Sequence, residues 1–289
     1  MNVLITGAQG VSGRNLAELL RAEKRLRIYR TDLHVEAGED CVGCDLTDAE
    51  AVDRIVAEIR PEQIYHLAGG YSNDYATNYQ VNVLATKNLL DACLKHNLRV
   101  RVLLIGSAAE YGIVGEEENP VRENHPLNAV SLYGLTKIFQ TELMKYYRNV
   151  FDMDIVMART FNLLGEGFST RLFVGNLLQQ ITDYKNGVIE KIMVGNLESK
   201  RDYLHVSAAV KYYEIIMNNG LSGEIYNVGS GESVKINDIF ERIITENGID
   251  RSAVGFRENR NASKLDIENI FADRSKLNRL LITKNNFSD

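Results

Sequence analysis

The chain has 289 residues, of which 45% are hydrophobic, enough to bury a sizeable core and to argue against disorder. Its formal charge is −6 and its basic residues are spread along the chain, so no nucleic-acid surface is indicated. No apolar run approaches a membrane span, and no secretory signal precedes the first strand, so we expect a cytoplasmic protein without membrane partners.

Strands and helices alternate through the first 160 residues. Apolar runs predict strands, and apolar positions at helical spacing predict the helices between them. The strands are predicted at Val3–Ile5, Leu26–Tyr29, Gln63–Leu67, Val100–Ile105 and Ile155–Ala158, and the helices at Arg14–Ala22, Ala49–Arg60, Val81–His96 and Asn128–Arg148. This alternation predicts an α/β Rossmann fold, a doubly wound parallel sheet with ligands at the carboxyl ends of its strands.

The pattern is less regular after Gly165. Helices are predicted near Phe173–Tyr184, Val206–Met217 and Ile236–Thr245, with strands at Lys191–Val194 and Ile225–Val228. We interpret residues 1–165 as a dinucleotide-binding domain to which 196–228 return. Residues 166–195 and 229–289 are predicted to form a smaller C-terminal α/β lobe that binds substrate.

Three glycines between the first strand and the first helix suggest a dinucleotide site. Gly7, Gly10 and Gly13 give G-x-x-G-x-x-G, which permits a tight turn and brings amide groups close to a pyrophosphate. Asp32 follows 19 residues after Gly13, at the end of the second strand, where a carboxylate can accept hydrogen bonds from ribose hydroxyls. Because that carboxylate repels a 2′-phosphate, NAD(H) is preferred over NADP(H), although Arg30 could pair with such a phosphate.

A tyrosine and a lysine four residues apart are candidates for proton transfer. Tyr133 and Lys137 project from one face of a predicted helix, and an ammonium beside a phenol is expected to lower the phenol's pKa. Ser107 directly follows a predicted strand, where its hydroxyl can hydrogen-bond a substrate oxygen.

These motifs, together with His66-Leu67-Ala68-Gly69 and Glu110-Tyr111-Gly112, resemble the extended short-chain dehydrogenase/reductase family in order and spacing over nearly the whole chain. The resemblance implies that Tyr133 transfers the proton, that Lys137 tunes it and binds ribose, and that Ser107 orients the reacting oxygen. It also implies further contacts to the cofactor, from Val11, Asp45, Leu46, Leu67, Ala68 and Gly69.

Two later segments resemble substrate-binding parts of the same family. Arg159–Gly165 is similar to the segment in which an asparagine touches the nucleotide sugar, which implies Asn162. Val194–Tyr203 resembles a segment of GDP-mannose 4,6-dehydratases and GDP-4-keto-6-deoxymannose reductases in which an arginine meets the diphosphate, which implies Arg201. An Arg-Pro pair usual in relatives is missing, and Arg260 or Lys264 are candidates to replace its arginine.

The family's reactions differ in what they require beside the tyrosine. Dehydratases of the family have a glutamate where this chain has Ala109, which has no proton to exchange, so dehydration is disfavoured. Glu110, one position on, is interpreted as structural. The leading hypothesis is reduction of a 4-keto-6-deoxyhexose on a nucleoside diphosphate. The alternatives are a nucleotide-sugar 4-epimerase that retains NAD and a dinucleotide-binding sensor without turnover.

The remaining reactive residues show no metal pattern. Cys41 and Cys44 form a single C-x-x-C, Cys93 is distant in sequence, and no ligand spacing joins the five histidines, so we predict no metal. In many relatives the helices corresponding to Val81–His96 and Tyr133–Arg148 form a dimer contact. The resemblance therefore implies a homodimer.

Overall fold

A parallel sheet of seven strands runs through the protein, whose computed structural model describes residues 1–35, 40–257 and 267–285. Its strands are β1 (Asn2–Thr6), β2 (Arg27–Asp32), β3 (Val42–Gly43), β4 (Gln63–His66), β5 (Arg101–Ser107), β6 (Asp154–Thr160) and β11 (Ile225–Val228). Their spatial order is β11-β6-β5-β4-β1-β2-β3. Every neighbouring pair is parallel, and the order reverses between β1 and β4. The predicted doubly wound Rossmann fold is confirmed.

Helices cover both faces of this sheet. They are α1 (Val11–Arg21), α2 (Ala49–Ile59), α3 (Tyr75–Tyr79), α4 (Ala85–Lys95), α5 (Leu132–Phe151), α6 (Phe173–Lys185), α7 (Val206–Asn219), α8 (Ile236–Glu246) and α9 (Ser275–Asn285). One face packs against α2, α4 and α5, and the other against α1, α7 and α9.

Alternation along single strands explains the two layers. In β1, Leu4 enters the core with α2 and α4, whereas Val3 and Ile5 enter the core with α1 and α7, and all three side chains are fully buried. Side chains of a strand point to opposite faces in turn, so a strand covered on both sides is apolar at nearly every position. Because all the strands are parallel, Thr6, Asp32, His66 and Ser107 end β1, β2, β4 and β5 at one edge.

Several element boundaries differ from the predictions. Helix α5 begins at Leu132 instead of Asn128, because Ser131 is extended and its hydroxyl caps the amide of Gly134. Strand β3 has only two residues and no visible alternation, so the sequence did not reveal it. Residues Gln80–Leu84 form a single π-helical turn that leads into α4, although Val81–Leu84 were predicted as the start of a regular helix.

The C-terminal part adds a further apolar core and short strands. The short strands are β7 (Asn162–Leu164), β8 (Ile192–Val194), β9 (Lys200–Arg201), β10 (Tyr203–His205), β12 (Val234–Lys235), β13 (Val254–Phe256) and β14 (Asn269–Ile270). Helices α6 and α8 pack together with β8 in this core. Helix α9 instead packs on α7, with Leu277 buried against the main sheet layer. The lobe boundaries stay a prediction.

Candidate functional site

The turn between β1 and α1 brings backbone atoms closer than side chains would permit. Gly7 has a φ of +66°, and a Cβ there would lie 2.6 Å from the amide nitrogen of Ala68. A Cβ on Gly13 would lie 2.3 Å from the carbonyl oxygen of Gly7. Gly10 is extended before Val11, the first residue of α1, and no side chain in the described chain caps this helix. The first amides of α1 can therefore face an anion.

Asp32 ties the end of β2 to this glycine turn. Its Oδ2 accepts a hydrogen bond of 2.8 Å from the amide of Gln9, and its Oδ1 accepts one of 2.8 Å from the amide of Leu33. Arg30 is buried, and its Nη1 donates to the carbonyl of Asp40 at 3.3 Å. The carboxylate thus lies beside the turn in the place expected of a ribose acceptor.

Asp45 and Leu46 follow β3, which pairs with the end of β2. Asp45 accepts hydrogen bonds from the amide and the hydroxyl of Thr47 at 2.9 and 2.7 Å, while Leu46 is buried and its carbonyl accepts from Asn88 at 3.0 Å. Both predicted cofactor residues therefore shape the loop after β3.

Ser107, Tyr133 and Lys137 meet at the carboxyl edge of the sheet. Ser107 ends β5 and hydrogen-bonds with Tyr133, which begins the first turn of α5 together with Leu132. The Lys137 Nζ lies 5.9 Å from the centre of the Tyr133 ring and donates to the carbonyl of Ile105 at 2.9 Å. The structure thus brings the three predicted catalytic residues together.

The protonation of this group follows from its burial. Burial raises the pKa of Tyr133 to about 12, the charge of Glu110 also raises it, and the hydrogen bond with Ser107 opposes the rise. Burial lowers the pKa of Lys137 to about 8, opposed by the charge of Glu110. The prediction of a lowered tyrosine pKa is wrong here, because taking the phenolate out of water costs more than the Ser107 hydrogen bond offsets. At neutral pH the pair is a phenol and an ammonium.

A buried ion pair between Glu110 and Arg159 fixes the backbone of Ser107. Glu110 is fully buried, and its Oε1 accepts from the amide of Ser107 at 2.7 Å. Its Oε2 accepts from the Thr141 hydroxyl at 2.7 Å and from the Nε and Nη2 of Arg159 at 3.1 and 2.9 Å. A Cβ on Gly106 would lie 2.6 Å from the Glu110 Oε1, so that position has room only for glycine. Sequence reasoning did not foresee the Arg159 contact, since 49 residues separate the partners.

Asn82 is a further residue that sequence reasoning missed. It lies in the π-helical turn and is fully buried, its Oδ1 accepting from the Gly70 amide at 2.9 Å. Its Nδ2 donates to the Gly70 carbonyl at 3.0 Å and to the Thr136 hydroxyl at 3.1 Å. Asn82 thus fixes the loop after β4 against the helix that carries Tyr133 and Lys137. An asparagine inside an otherwise apolar helical run was the available signal.

A cleft of about 670 Å³ opens beside this group. Its lining includes the predicted Gly69, Ser107, Tyr133, Asn162 and Arg201, and also Ser12 from the start of α1. The described lining does not include Lys137, which is buried behind Tyr133, or the glycines of the turn. One concave surface therefore joins Ser107 and Tyr133 to the residues predicted to bind substrate.

Comparison with known proteins gives the family. Residues 3–229 match the profile of the NAD dependent epimerase/dehydratase family. The chain belongs to this family. GDP-6-deoxy-D-mannose reductase of Pseudomonas aeruginosa is 29% identical over 68% of this chain. The match covers 66% of that relative's own length, which is just under two thirds. GDP-6-deoxy-D-talose 4-dehydrogenase of Aggregatibacter actinomycetemcomitans is 27% identical over 83% of this chain and 78% of its own.

A solved structure supports the same fold. The structure of RMD from Pseudomonas aeruginosa complexed with NADPH superimposes with a TM-score of 0.83 at 23% identity, covering 96% of this chain and 91% of that one. At that identity the likeness shows the fold alone.

In this epimerase/dehydratase family member, the wall facing the catalytic group contains two further residues, Tyr71 and Arg171. The Tyr71 ring packs edge-on against Tyr133 with 5.2 Å between the ring centres. The Nη1 of Arg171 donates to the Tyr71 carbonyl at 2.6 Å, so the segment before α6 contacts the loop after β4 across the cleft. Ala109 lies on the same wall and presents only a methyl group.

The predicted substrate residues lie on short strands. The Nδ2 of Asn162 donates to the Asp202 carbonyl at 3.3 Å, and Arg201 donates from Nη1 to the Lys200 carbonyl at 2.8 Å. The Asp202 carboxylate is fully buried and accepts from the amides of Ser230, Gly231 and Ala272. It anchors the turn after β11. Arg260 and Lys264 lie outside the described residues.

The cysteines are reduced, and Cys44 and Cys93 are buried in the core beside α2 and α4. Burial raises the pKa of Cys93 to about 12, which disfavours the thiolate needed for redox or metal chemistry. In the described part of the chain, no three His, Cys, Asp or Glu side chains are grouped closely enough to hold a metal. Within that same part, no helix has the length and apolarity required to cross a membrane.

Proposed function

We propose that this family member reduces a nucleoside-diphosphate 4-keto-6-deoxyhexose, of the GDP-4-keto-6-deoxymannose type, with a nicotinamide coenzyme. The observation that carries the proposal is that Tyr133 lies beside Ser107 on the cleft, where Ala109 offers no second proton-transfer group. The two relatives named above act, by their names, on GDP-6-deoxyhexoses, which supports this substrate class.

The residues present fit a nicotinamide dinucleotide. The glycine turn leaves no space for a Cβ at Gly7 or Gly13 and exposes the first amides of α1, which suits a pyrophosphate. Asp32 would accept the ribose hydroxyls, and its charge favours NAD(H) over NADP(H). When bound, the coenzyme supplies the hydride that reaches C4 of the sugar.

The chain's own residues handle the proton and the negative charge. Ser107 hydrogen-bonds the C4 oxygen, and Tyr133 gives its proton to that oxygen as negative charge develops there. The Lys137 ammonium then stabilises the phenolate that remains, because an opposite charge within about 6 Å favours the ionised form. The product is the C4 alcohol, and Tyr133 regains its proton from solvent in the cleft.

Arg201 and Asn162 are proposed to bind the diphosphate and the sugar. A guanidinium suits this task because its planar donors match phosphate oxygens. The carboxylate of the neighbouring Asp202 accepts the amides of Ser230, Gly231 and Ala272. Arg171 lines the same cleft and adds positive charge there.

Replacing Arg201 with alanine tests the diphosphate contact. Losing a charged hydrogen bond costs about 1.5–3 kcal/mol, so KM for the nucleotide sugar should rise roughly 10- to 100-fold with a small change in kcat. Arg25→Ala, at an exposed ion pair with Glu23, is the control and should keep the wild-type KM. An unchanged KM in Arg201→Ala would remove this arginine from the binding site.

The pH dependence of reduction follows from Lys137. Because the pKa of Lys137 is about 8, nearly all of the lysine is protonated at pH 6 to 7, and it loses its proton as the pH rises through 8. Tyr133, with a pKa of about 12, stays protonated over that window. We therefore expect kcat/KM to be flat below about pH 7 and to fall with a slope approaching −1 above pH 8. Initial rates in buffers of constant ionic strength provide the measurement.

The function itself is tested by mixing the purified chain with GDP-4-keto-6-deoxymannose and either NADH or NADPH. Stoichiometric loss of reduced-nicotinamide absorbance with formation of the C4 alcohol is the expected result, faster with NADH. An isomerised nucleotide sugar without net oxidation would make the protein an epimerase instead. Coenzyme binding without turnover of any nucleotide sugar would indicate a sensor.

We further propose a homodimer formed through α4 and α5, with Leu132 and Leu135 among the exposed apolar side chains of α5. Light scattering of the purified chain should give twice the monomer mass of 32.5 kDa. Leu135→Glu should shift that mass toward the monomer because it places a charge in the contact. The cytoplasmic location stays a prediction.

A further inference from the structure

A line of buried polar side chains runs from Lys137 to the glycine turn. The Lys137 Nζ donates to the Gln140 Oε1 at 2.9 Å, and the Gln140 Nε2 donates to the Thr86 hydroxyl at 2.8 Å. His66 joins this hydroxyl through Nε2 at 3.0 Å and contacts the Thr6 hydroxyl through Nδ1 at 2.8 Å. Gln140, Thr86, His66 and Thr6 are fully buried, so these contacts are shielded from solvent.

The donors and acceptors along this line have a single consistent assignment. The Thr86 hydroxyl gives its one proton to the Asn82 carbonyl at 2.8 Å, so its oxygen must accept from both Gln140 and His66. His66 therefore has its proton on Nε2. Burial and the Lys137 charge lower the pKa of His66 to about 3, so the ring is neutral and its Nδ1 is an acceptor. The Thr6 hydroxyl donates to that nitrogen and accepts from the Ala68 amide at 3.3 Å.

This assignment fixes the orientation of the Gln140 amide. Since Nε2 must donate to Thr86, the oxygen Oε1 must face the ammonium of Lys137. Two of the three ammonium protons are then held, by Gln140 and by the Ile105 carbonyl. Nζ lies 3.4 Å from where a Cβ of Gly69 would stand, and Gly69 lines the cleft. The remaining proton is thus left for a group on the cleft side.

The line is not suited to carry protons. The Gln140 amide neither gains nor loses a proton at ordinary pH, and the hydroxyl proton of Thr86 is committed to the Asn82 carbonyl. The line instead serves to hold groups in place. Each of its members is neutral, has a single hydrogen-bonding orientation, and the line ends at one buried cation.

We propose that Gln140, Thr86 and His66 are positioning residues that hold the Lys137 ammonium in its reactive orientation. Through Thr6 and the Ala68 amide, they also fix the position of the lysine relative to the glycine turn. Ala68 lies directly against that turn, because a Cβ on Gly7 would lie 2.6 Å from the Ala68 nitrogen. The inference rests on the proposed function, in which Lys137 stabilises the Tyr133 phenolate.

The test measures the lysine directly. NMR titration of protein labelled at lysine Cε, with Lys137→Met to assign the resonance, gives the pKa of Lys137. Groups facing this lysine are Glu110, which raises its pKa, and the phenol of Tyr133 and the neutral ring of His66. Removing one hydrogen bond to a buried cation in Gln140→Leu should lower the pKa by about one unit or more. Gln140→Glu should raise it, because a carboxylate replaces the neutral oxygen.

Two His66 variants separate the two ends of the ring. Gln in place of His66 puts an amide nitrogen near the position of Nε2 and retains the donor to Thr86. Asn puts an amide oxygen near Nδ1 and retains only the acceptor for Thr6. His66→Asn should therefore lower the pKa of Lys137 in the same direction as Gln140→Leu, though by less, while His66→Gln should keep it near the wild-type value.

Gln180→Leu is the matched control, because its amide bridges the Met193 backbone in the other core. It should leave the Lys137 pKa, NADH affinity and kcat unchanged, whereas Gln140→Leu should lower kcat about twofold at pH 7 and about 10-fold at pH 9, where the protonated fraction of Lys137 falls most. An unchanged Lys137 pKa in folded Gln140→Leu and Gln140→Glu would overturn the proposal. If the wild type reduces no nucleotide sugar, the proposed function fails. The titration of Lys137 still tests whether Gln140, Thr86 and His66 position its ammonium.

Discussion

Replacing Tyr133 with phenylalanine should lower kcat/KM for reduction roughly 10²- to 10⁴-fold, the usual contribution of a positioned general acid. Phenylalanine keeps the ring that packs against Tyr71 at 5.2 Å and lacks only the hydroxyl bound to Ser107. Coenzyme affinity, measured by fluorescence titration with NADH, should stay within about twofold because the glycine turn is untouched. The loss should appear in kcat.

Tyr146→Phe is the matched control for this change. Tyr146 is 52% exposed on α5, away from the residues that line the cleft, and loses the same hydroxyl. It should reduce substrate at the wild-type rate. A Tyr133→Phe protein that keeps more than about a tenth of the activity would show that another group supplies the proton.

Replacing Arg159 with methionine should lower the free energy of unfolding by about 3–5 kcal/mol, the effect of leaving a buried charge without its partner. Both members of the pair are buried, with 0% exposure for Glu110 and 1% for Arg159. The methionine fills similar space, so the loss comes mainly from the uncompensated Glu110 carboxylate. Urea denaturation followed by circular dichroism measures it.

The double variant Glu110→Gln with Arg159→Met separates charge from shape. With both charges removed, most of the lost stability should return, because neutral groups cost far less to bury. Arg122→Met is the control: its ion pair with Asp273 has a 76% exposed arginine side chain, so its removal should cost at most about 1 kcal/mol. Equal losses in Arg159→Met and Arg122→Met would contradict the assignment of Glu110 and Arg159 as a buried pair.

The local sequence pattern was enough to predict the alternating strands and helices of the fold. Strands covered on both faces must be apolar along their length, so runs such as Val3–Ile5 could be recognised without knowing what packs on them. The turn from Gly7 to Gly13 was equally legible, because the close approach of backbone atoms excludes a Cβ there. The spacing of Tyr133 and Lys137 on one helix face follows from helix geometry alone.

The residues at which helices and strands begin and end were less predictable, for a physical reason. Whether α5 begins at Asn128 or at Leu132 depends on the extended conformation of Ser131 and the hydrogen bond that its hydroxyl makes to Gly134. Several residues near that position are compatible with either start. A cap is decided by one side chain, whereas a strand or helix interior is decided by many.

The sequence by itself determined the alternation of strands and helices, the glycine turn and the Tyr133–Lys137 pair, since each depends on residues within about 20 positions. Only the tertiary structure decided that Glu110 meets Arg159, that His66 and Gln140 meet at Thr86, and that the pKa of Tyr133 is raised. Those features depend on burial and on contacts between distant segments, which exist only once the sheet has brought β4, β5 and β6 side by side.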